Sequence, residues 1–167
     1  DAVVCDHVGY FGFDYGILGL FRDASRRFLK PGGALIPARL DLQIAAVESE
    51  KCRQLADGWR AEAMPSQFRW LRDHSVNAKH AVALKREEVI SAPAELGTID
   101  FLADERDFFS WTVELRMGRS GVVHGLGGWF DCELSAGVRM TNSPLAEAPI
   151  QRSQVFLPIG EPVTVKA

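Results

Sequence analysis

The chain has 167 residues, 47 % of them hydrophobic and 25 % charged, which fits one globular domain or parts of two and excludes a disordered chain. Nineteen Lys and Arg against 22 Asp and Glu leave a formal charge of −3, so the overall field favours neither nucleic acid nor an anionic membrane surface as partner. Cys5, Cys52 and Cys132 are odd in number, with no CxxC pair and no histidine at zinc-ligand spacing; they read as reduced thiols of a cytoplasmic protein, with one reactive thiol as the other reading.

No apolar run approaches the roughly 18 residues of a membrane span, and the opening Asp1-Ala2-Val3-Val4 carries no signal peptide. A piece of a longer protein is expected. Asp1 to Cys5 predicts a short buried parallel strand, followed by a turn-rich loop with Gly9, Gly12 and Gly16. From Ile17 the apolar residues Ile17, Leu20, Phe21, Ala24 and Phe28 recur at three- and four-residue intervals, which predicts an amphipathic helix. Lys30-Pro31-Gly32-Gly33 stops it, and Ala34-Leu35-Ile36 restarts an extended segment.

Beyond a domain boundary placed at Pro37, Leu40, Leu42, Ile44 and Ala46 alternate as in a half-buried strand. Residues 50–60 read as helical, and 61–80 as an irregular aromatic-containing excursion, either core or a partner-binding arm. Phe109, Trp111, Val113, Leu115 and Met117 alternate with polar residues, Gly118 to Gly121 turns the chain, and 126–134 alternates again, which predicts an antiparallel hairpin. Short strands are expected at Gln154–Leu157 and Pro162–Val165. Gly125, Gly127 and Gly128 read as strand glycines that allow close packing or a bend, since no helix follows them to make a phosphate loop. Fold class is α+β, with a mainly antiparallel barrel or sandwich in the second part.

Asp6, His7, Tyr10, Asp14 and Tyr15 crowd the loop after the first strand, the best candidate site on physical grounds. Two carboxylates there suit orienting a cationic nitrogen. The competing reading is structural: Asp14 caps the following helix and Asp6 satisfies turn amides. The four histidines have no mutual spacing for a metal, and none is expected.

Cys5-Asp6-His7-Val8-Gly9-Tyr10 and, across the helix, Leu29-Lys30-Pro31-Gly32-Gly33 resemble, in order and spacing, the Ser-Glu-x-x-Gly-Tyr and Leu-Lys-Pro-Gly-Gly of the protein arginine N-methyltransferases. Ile36-Pro37-Ala38-Arg39, Gly125 to Glu133 and Ser153-Gln154-Val155-Phe156 are similar to that family's β-barrel. The resemblance implies that residues 1–37 end a class I, Rossmann-like methyl-donor domain. It likewise makes 38–167 a barrel-like substrate and dimerisation domain with a helical arm at about 50–80.

It further implies S-adenosylmethionine as cofactor of the full-length protein, not held by this fragment, whose residues lack the donor's glycine-rich loop and which alone is expected to be inactive. A protein or small-molecule nitrogen acceptor and a homodimer follow from the same resemblance. Two glutamates grip the substrate guanidinium in the family. Here Asp6 stands in the first position and Tyr15, a phenol neutral near pH 7, in the second, with Asp14 one residue away. The Thr-His-Trp loop of the family falls at Ile150-Gln151-Arg152. Catalytic candidates are thus Asp6, Tyr15 and Asp14, and substrate-binding candidates Tyr10, Gln151 and Arg152. The alternative is a catalytically degenerate relative that serves as a binding or dimerisation module.

Overall fold

The computed structural model describes residues 1–106 and 108–167. Its strands are β1 (Ala2–Val4), β2 (Ala34–Ile36), β3 (Arg39–Val47), β4 (His80–Val82), β5 (Ala94–Asp100), β6 (Gly121–Ser135), β7 (Val138–Thr141) and β8 (Gln154–Val165). The α-helices are α1 (Ile17–Arg27), α2 (Glu50–Asp57) and α3 (Leu71–Val76), with 3-10 turns at Asp14–Gly16, Gly58–Arg60, Ser66–Phe68 and Arg86–Glu88. β1 and β2 pair in parallel, and the remaining strands form a six-stranded sheet in the order β4-β8-β6-β3-β5 with β7 on β6. The described pairings in that sheet are antiparallel.

The chain divides into two compact units, residues 1–43, 95–113 and 129–152 in one and 44–94, 114–128 and 153–167 in the other. β3 and β6 each contribute residues to both.

In the first unit the helix expected from Ile17 is present because its apolar stripe has a core to face. Ile17 and Phe21 are buried in one cluster with Val8, Leu35, Leu40, Leu42, Ile99, Phe101, Phe130 and Cys132. Each large side chain so buried contributes about 1.5–3 kcal/mol relative to solvent exposure. The helix ends at Arg27, before the Pro31 expected to stop it, as the Phe28 and Leu29 amides both donate to the Ala24 carbonyl. The strand expected to be buried at the start of the chain is largely exposed: Val4 faces solvent on a sheet of only two strands. The Ile36–Pro37 peptide is cis.

In the second unit Ser49 caps α2, its Oγ accepting from the Cys52 amide at 3.2 Å and donating to Glu88 Oε1 at 2.7 Å. Val47, Cys52, Leu84 and Phe156 pack as one cluster, Ala46, Ile90 and Val123 as another. The two late strands expected near 154 and 162 are one strand with a register break, since Val123 pairs with Val163 but Gly125 with Pro158. Proline has no amide to give a ladder and sits where pairing is interrupted. Gly125 behaves as a close-packing strand glycine: a Cβ there would lie 2.5 Å from the Leu157 carbonyl.

The expected hairpin of 109–117 with 126–134 is not found. Residues 109, 111, 113, 115 and 117 are indeed the less exposed of each pair, but among the described residues no strand is assigned over 108–116. Met117 bridges Ser91, and the Arg116 carbonyl accepts from Ala92. The alternation identifies an extended segment; its partner is set by contacts that alternation does not encode.

All three cysteines are free. Burial pushes the Cys132 thiol up to about 12 and also raises that of Cys52, so neither supplies thiolate near neutrality. Alkylation of the folded protein at pH 8 is expected to modify half-exposed Cys5 alone. Peptide mass spectrometry checks this, and label on Cys132 before unfolding contradicts it.

Candidate functional site

The loop between β1 and α1 is held in a shape that few sequences adopt. Gly9 and Gly12 have φ of 60° and 90°, and Tyr15, a non-glycine residue, has φ 57°, a left-handed conformation that L side chains avoid unless surroundings impose it. Asp14 is the organiser. It is 5 % exposed, and its Oδ2 accepts the amides of Tyr10 at 3.1 Å and Phe11 at 2.8 Å. The capping role expected of Asp14 is not seen, because α1 begins at Ile17 with Gly16 as its cap and has no side-chain cap bond. The carboxylate turns back into its own loop.

Asn142, fully buried after β7, ties the loop to the sheet: Nδ2 donates to the Tyr10 carbonyl at 2.9 Å, and Oδ1 accepts from the Phe130 amide at 2.9 Å. Sequence reasoning missed this residue, for an asparagine in a polar turn 132 positions away gives no signal. Arg152 makes the second tie. Its Nη1 donates to the Gly9 carbonyl at 3.1 Å and its Nη2 to both Asp6 oxygens, at 2.9 and 3.2 Å.

The loop therefore brings together four of the residues singled out from sequence: Asp6 and Arg152 in a direct pair, with Tyr10 and Asp14 joined through the Tyr10 amide. Tyr15 is 69 % exposed, its ring edge-on to His7 at 6.4 Å between centroids. Gln151 is exposed and makes none of these contacts. The outward groups include the Asp6 carboxylate, the Tyr15 phenol, the His7 imidazole and the partly exposed Arg152 guanidinium, a set suited to hydrogen-bonding and orienting a polar nitrogen.

The two positive-φ glycines at positions 9 and 12 do not form a cradle for a nucleotide-bearing donor. A Cβ on Gly9 would strike Asp14, and one on Gly12 would meet Leu42, Leu40 and Phe130 at 3.0–3.4 Å, so both glycines serve the protein's own packing. Among the described residues no group of three or more His, Cys, Asp or Glu side chains could hold a metal, and no helix is long and apolar enough to cross a membrane.

No protein-family model matches the chain. Across its whole length, in an alignment of 175 positions, it is 27 % identical to protein arginine N-methyltransferase 1 of Schizosaccharomyces pombe, covering 50 % of that protein. It is 27 % identical over 87 % of its length to the probable histone-arginine methyltransferase CARMER of Drosophila melanogaster, covering 30 % of it. Among solved structures, the Trypanosoma brucei PRMT1 enzyme–prozyme heterotetrameric complex with AdoHcy matches all of the chain and 54 % of its own, with TM-score 0.83 and 20 % identity. Arabidopsis thaliana protein arginine methyltransferase 10 matches 99 % of the chain and 57 % of its own at TM-score 0.74 and 18 % identity. The chain spans about half the length of the first of these relatives and of both structures. Its mainly antiparallel sheet with few helices has the barrel-like fold of these enzymes, preceded by a strand, loop, helix and strand. Over its whole length the chain is similar in sequence to protein arginine N-methyltransferases and shares the fold of part of them.

Proposed function

We propose that the intact protein is an S-adenosylmethionine-dependent methyltransferase acting on a nitrogen acceptor, and that this chain supplies its acceptor side. In this reading residues 1–37 close the donor-binding domain and 38–167 form the barrel. The protein works as a cytoplasmic homodimer, with the arm at about 50–80, where Phe68 and Trp70 are exposed, as the subunit contact.

The observation that carries the reading is the β1–α1 loop. It is fixed from two sides by Asn142 and Arg152 and presents Asp6 outward, at the position that the sequence resemblance matches to the first of the family's paired glutamates. Asp6 accepts the acceptor's N–H and sets its lone pair on the line of attack. The Tyr15 phenol, held in its left-handed backbone, donates or accepts beside it. Alignment and fixed electrostatics of this kind are what a displacement of this type needs from a protein.

Asp6→Ala in the intact protein is expected to lower methyl transfer at least about a hundredfold, as loss of a positioned polar group at a reacting centre commonly does. Tyr15→Phe, which removes no charge, is expected to cost less than about tenfold. Transfer of labelled methyl from S-adenosylmethionine measures both. Equal rates for Asp6→Ala and the parent would favour a degenerate binding or dimerisation module instead.

A further inference from the structure

The face of the loop that offers a carboxylate to solvent already holds a cation. The Asp6 side chain is 78 % exposed and that of Arg152 28 %, so the guanidinium lies against the loop and does not trail in solvent. Its Nη1 rests on the Gly9 carbonyl and its Nη2 on the two Asp6 oxygens, residues 143 and 146 positions away in sequence. The other loop carboxylate, Asp14, is turned onto the Tyr10 and Phe11 amides, and Tyr15 carries an uncharged phenol. The loop has one outward carboxylate, and the chain's own guanidinium neutralises it.

Resting on the methyltransferase reading above, the geometry points to Arg152 as a specificity-determining residue: its guanidinium holds the carboxylate a cationic acceptor would need, so the loop takes an uncharged nitrogen acceptor in preference to an arginine guanidinium. Arginine is recognised through charge-assisted pairing with a carboxylate. To obtain it here, an incoming arginine displaces the Arg152 guanidinium from Asp6 and sits beside its positive charge. An uncharged N–H faces neither cost. A carboxylate offers about four lone-pair positions, and Arg152 approaches Asp6 through a single nitrogen. An exposed ion pair is a weak competitor, so the bias it sets is on the order of tenfold.

The test measures binding of the intact protein to an arginine-containing peptide and to the same peptide with citrulline, whose ureido group has nearly the guanidinium shape without its charge. The parent is expected to bind the citrulline peptide at least as tightly as the arginine peptide. Arg152→Gln is expected to shift the ratio toward arginine by about tenfold, and Arg152→Lys, which keeps the charge, to leave the parent's preference in place. If Arg152 only staples the loop, Arg152→Gln weakens both peptides together and the ratio stays put. That result, a parent that prefers arginine, or no binding of either peptide by parent and Arg152→Gln alike overturns the proposal. S-adenosylmethionine binding to the same proteins separates the two readings. Donor binding with an unmoved ratio removes the role of Arg152 and leaves the methyltransferase reading standing, whereas no donor binding removes that reading whatever the ratio does.

Discussion

Asp57→Ala is expected to destabilise the protein by about 3 kcal/mol, the low end of the range found when one partner of a buried ion pair is removed, because the Asp57 side chain is itself 27 % exposed. Two guanidinium groups in the second unit are almost wholly out of solvent, Arg53 on α2 at 1 % exposure and Arg72 on α3 at 6 %. Asp57 is the carboxylate between them. Its Oδ2 accepts Arg53 Nε at 2.5 Å, and its Oδ1 accepts Arg53 Nη2 at 3.0 Å and Arg72 Nε at 2.8 Å. The remaining N–H groups reach β8, where the Ile159 carbonyl accepts from Arg53 and the Gly160 carbonyl from both arginines. Glu161 pairs with Arg72 at 3.2 Å. A guanidinium keeps its charge at any working pH, so deleting Asp57 leaves the two buried positive charges with carbonyl dipoles and the largely exposed Glu161 carboxylate, 3.2 Å from Arg72 and 3.9 Å from Arg53.

Urea unfolding followed by tryptophan fluorescence measures the loss, and a change below about 1 kcal/mol, the range of exposed pairs, would mean that water enters and takes over the role of Asp57. Burial alone would raise the Asp57 carboxyl, but hydrogen bonds from Arg53 and Arg72 outweigh it and hold it below the usual aspartate range. A carboxyl depressed on folding contributes stability that is present above its unfolded value and lost as pH falls through the folded one. The parent's stability is therefore expected to drop on acidification below about pH 4, and that of Asp57→Ala to drop less over the same interval.

What the sequence made legible were features decided by near neighbours. α1 was readable because Ile17 and Phe21 lie one turn apart and both found the core. The break in β8 was readable because Pro158 to Pro162 disrupts any ladder. Partnerships between distant segments were not. The period-two pattern of 109–117 is compatible with pairing on either side, and the described bridge takes it to Ser91. Arg53 and Arg72 look like solvated helix charges until Ile159 and Gly160 turn their carbonyls toward them. The pairing of Asp6 with Arg152 follows the same rule: the two positions were each singled out, but only the folded chain joins them. Asp14 was misjudged locally, because a helix cap and a loop organiser use the same side chain, and the choice depends on Gly9.

That dependence gives the second large effect, a loss of about 3 kcal/mol on Gly9→Ala, with the acceptor binding proposed for the loop lost in parallel. Gly9 has φ 60°, which costs an L residue roughly 1–2 kcal/mol. The added methyl would also lie 2.3 Å from Asp14 Cβ and 2.5 Å from its Oδ2, so Asp14 must leave. Its departure uncouples the carboxylate from the Tyr10 and Phe11 amides, the latter in a buried bond, and a buried donor left unpaired costs about 1–3 kcal/mol. The Gly9 carbonyl is also where Arg152 Nη1 rests, so the same methyl disturbs the arginine that covers Asp6. Asp14→Asn separates the contributions, since it keeps an oxygen acceptor and the glycine and removes only the charge; about 1 kcal/mol is expected of it. Urea unfolding of both variants decides the matter. Gly9→Ala within about 0.5 kcal/mol of the parent, the range of an ordinary surface change, would show that the loop tolerates another backbone path and that Asp14 does not shape the site.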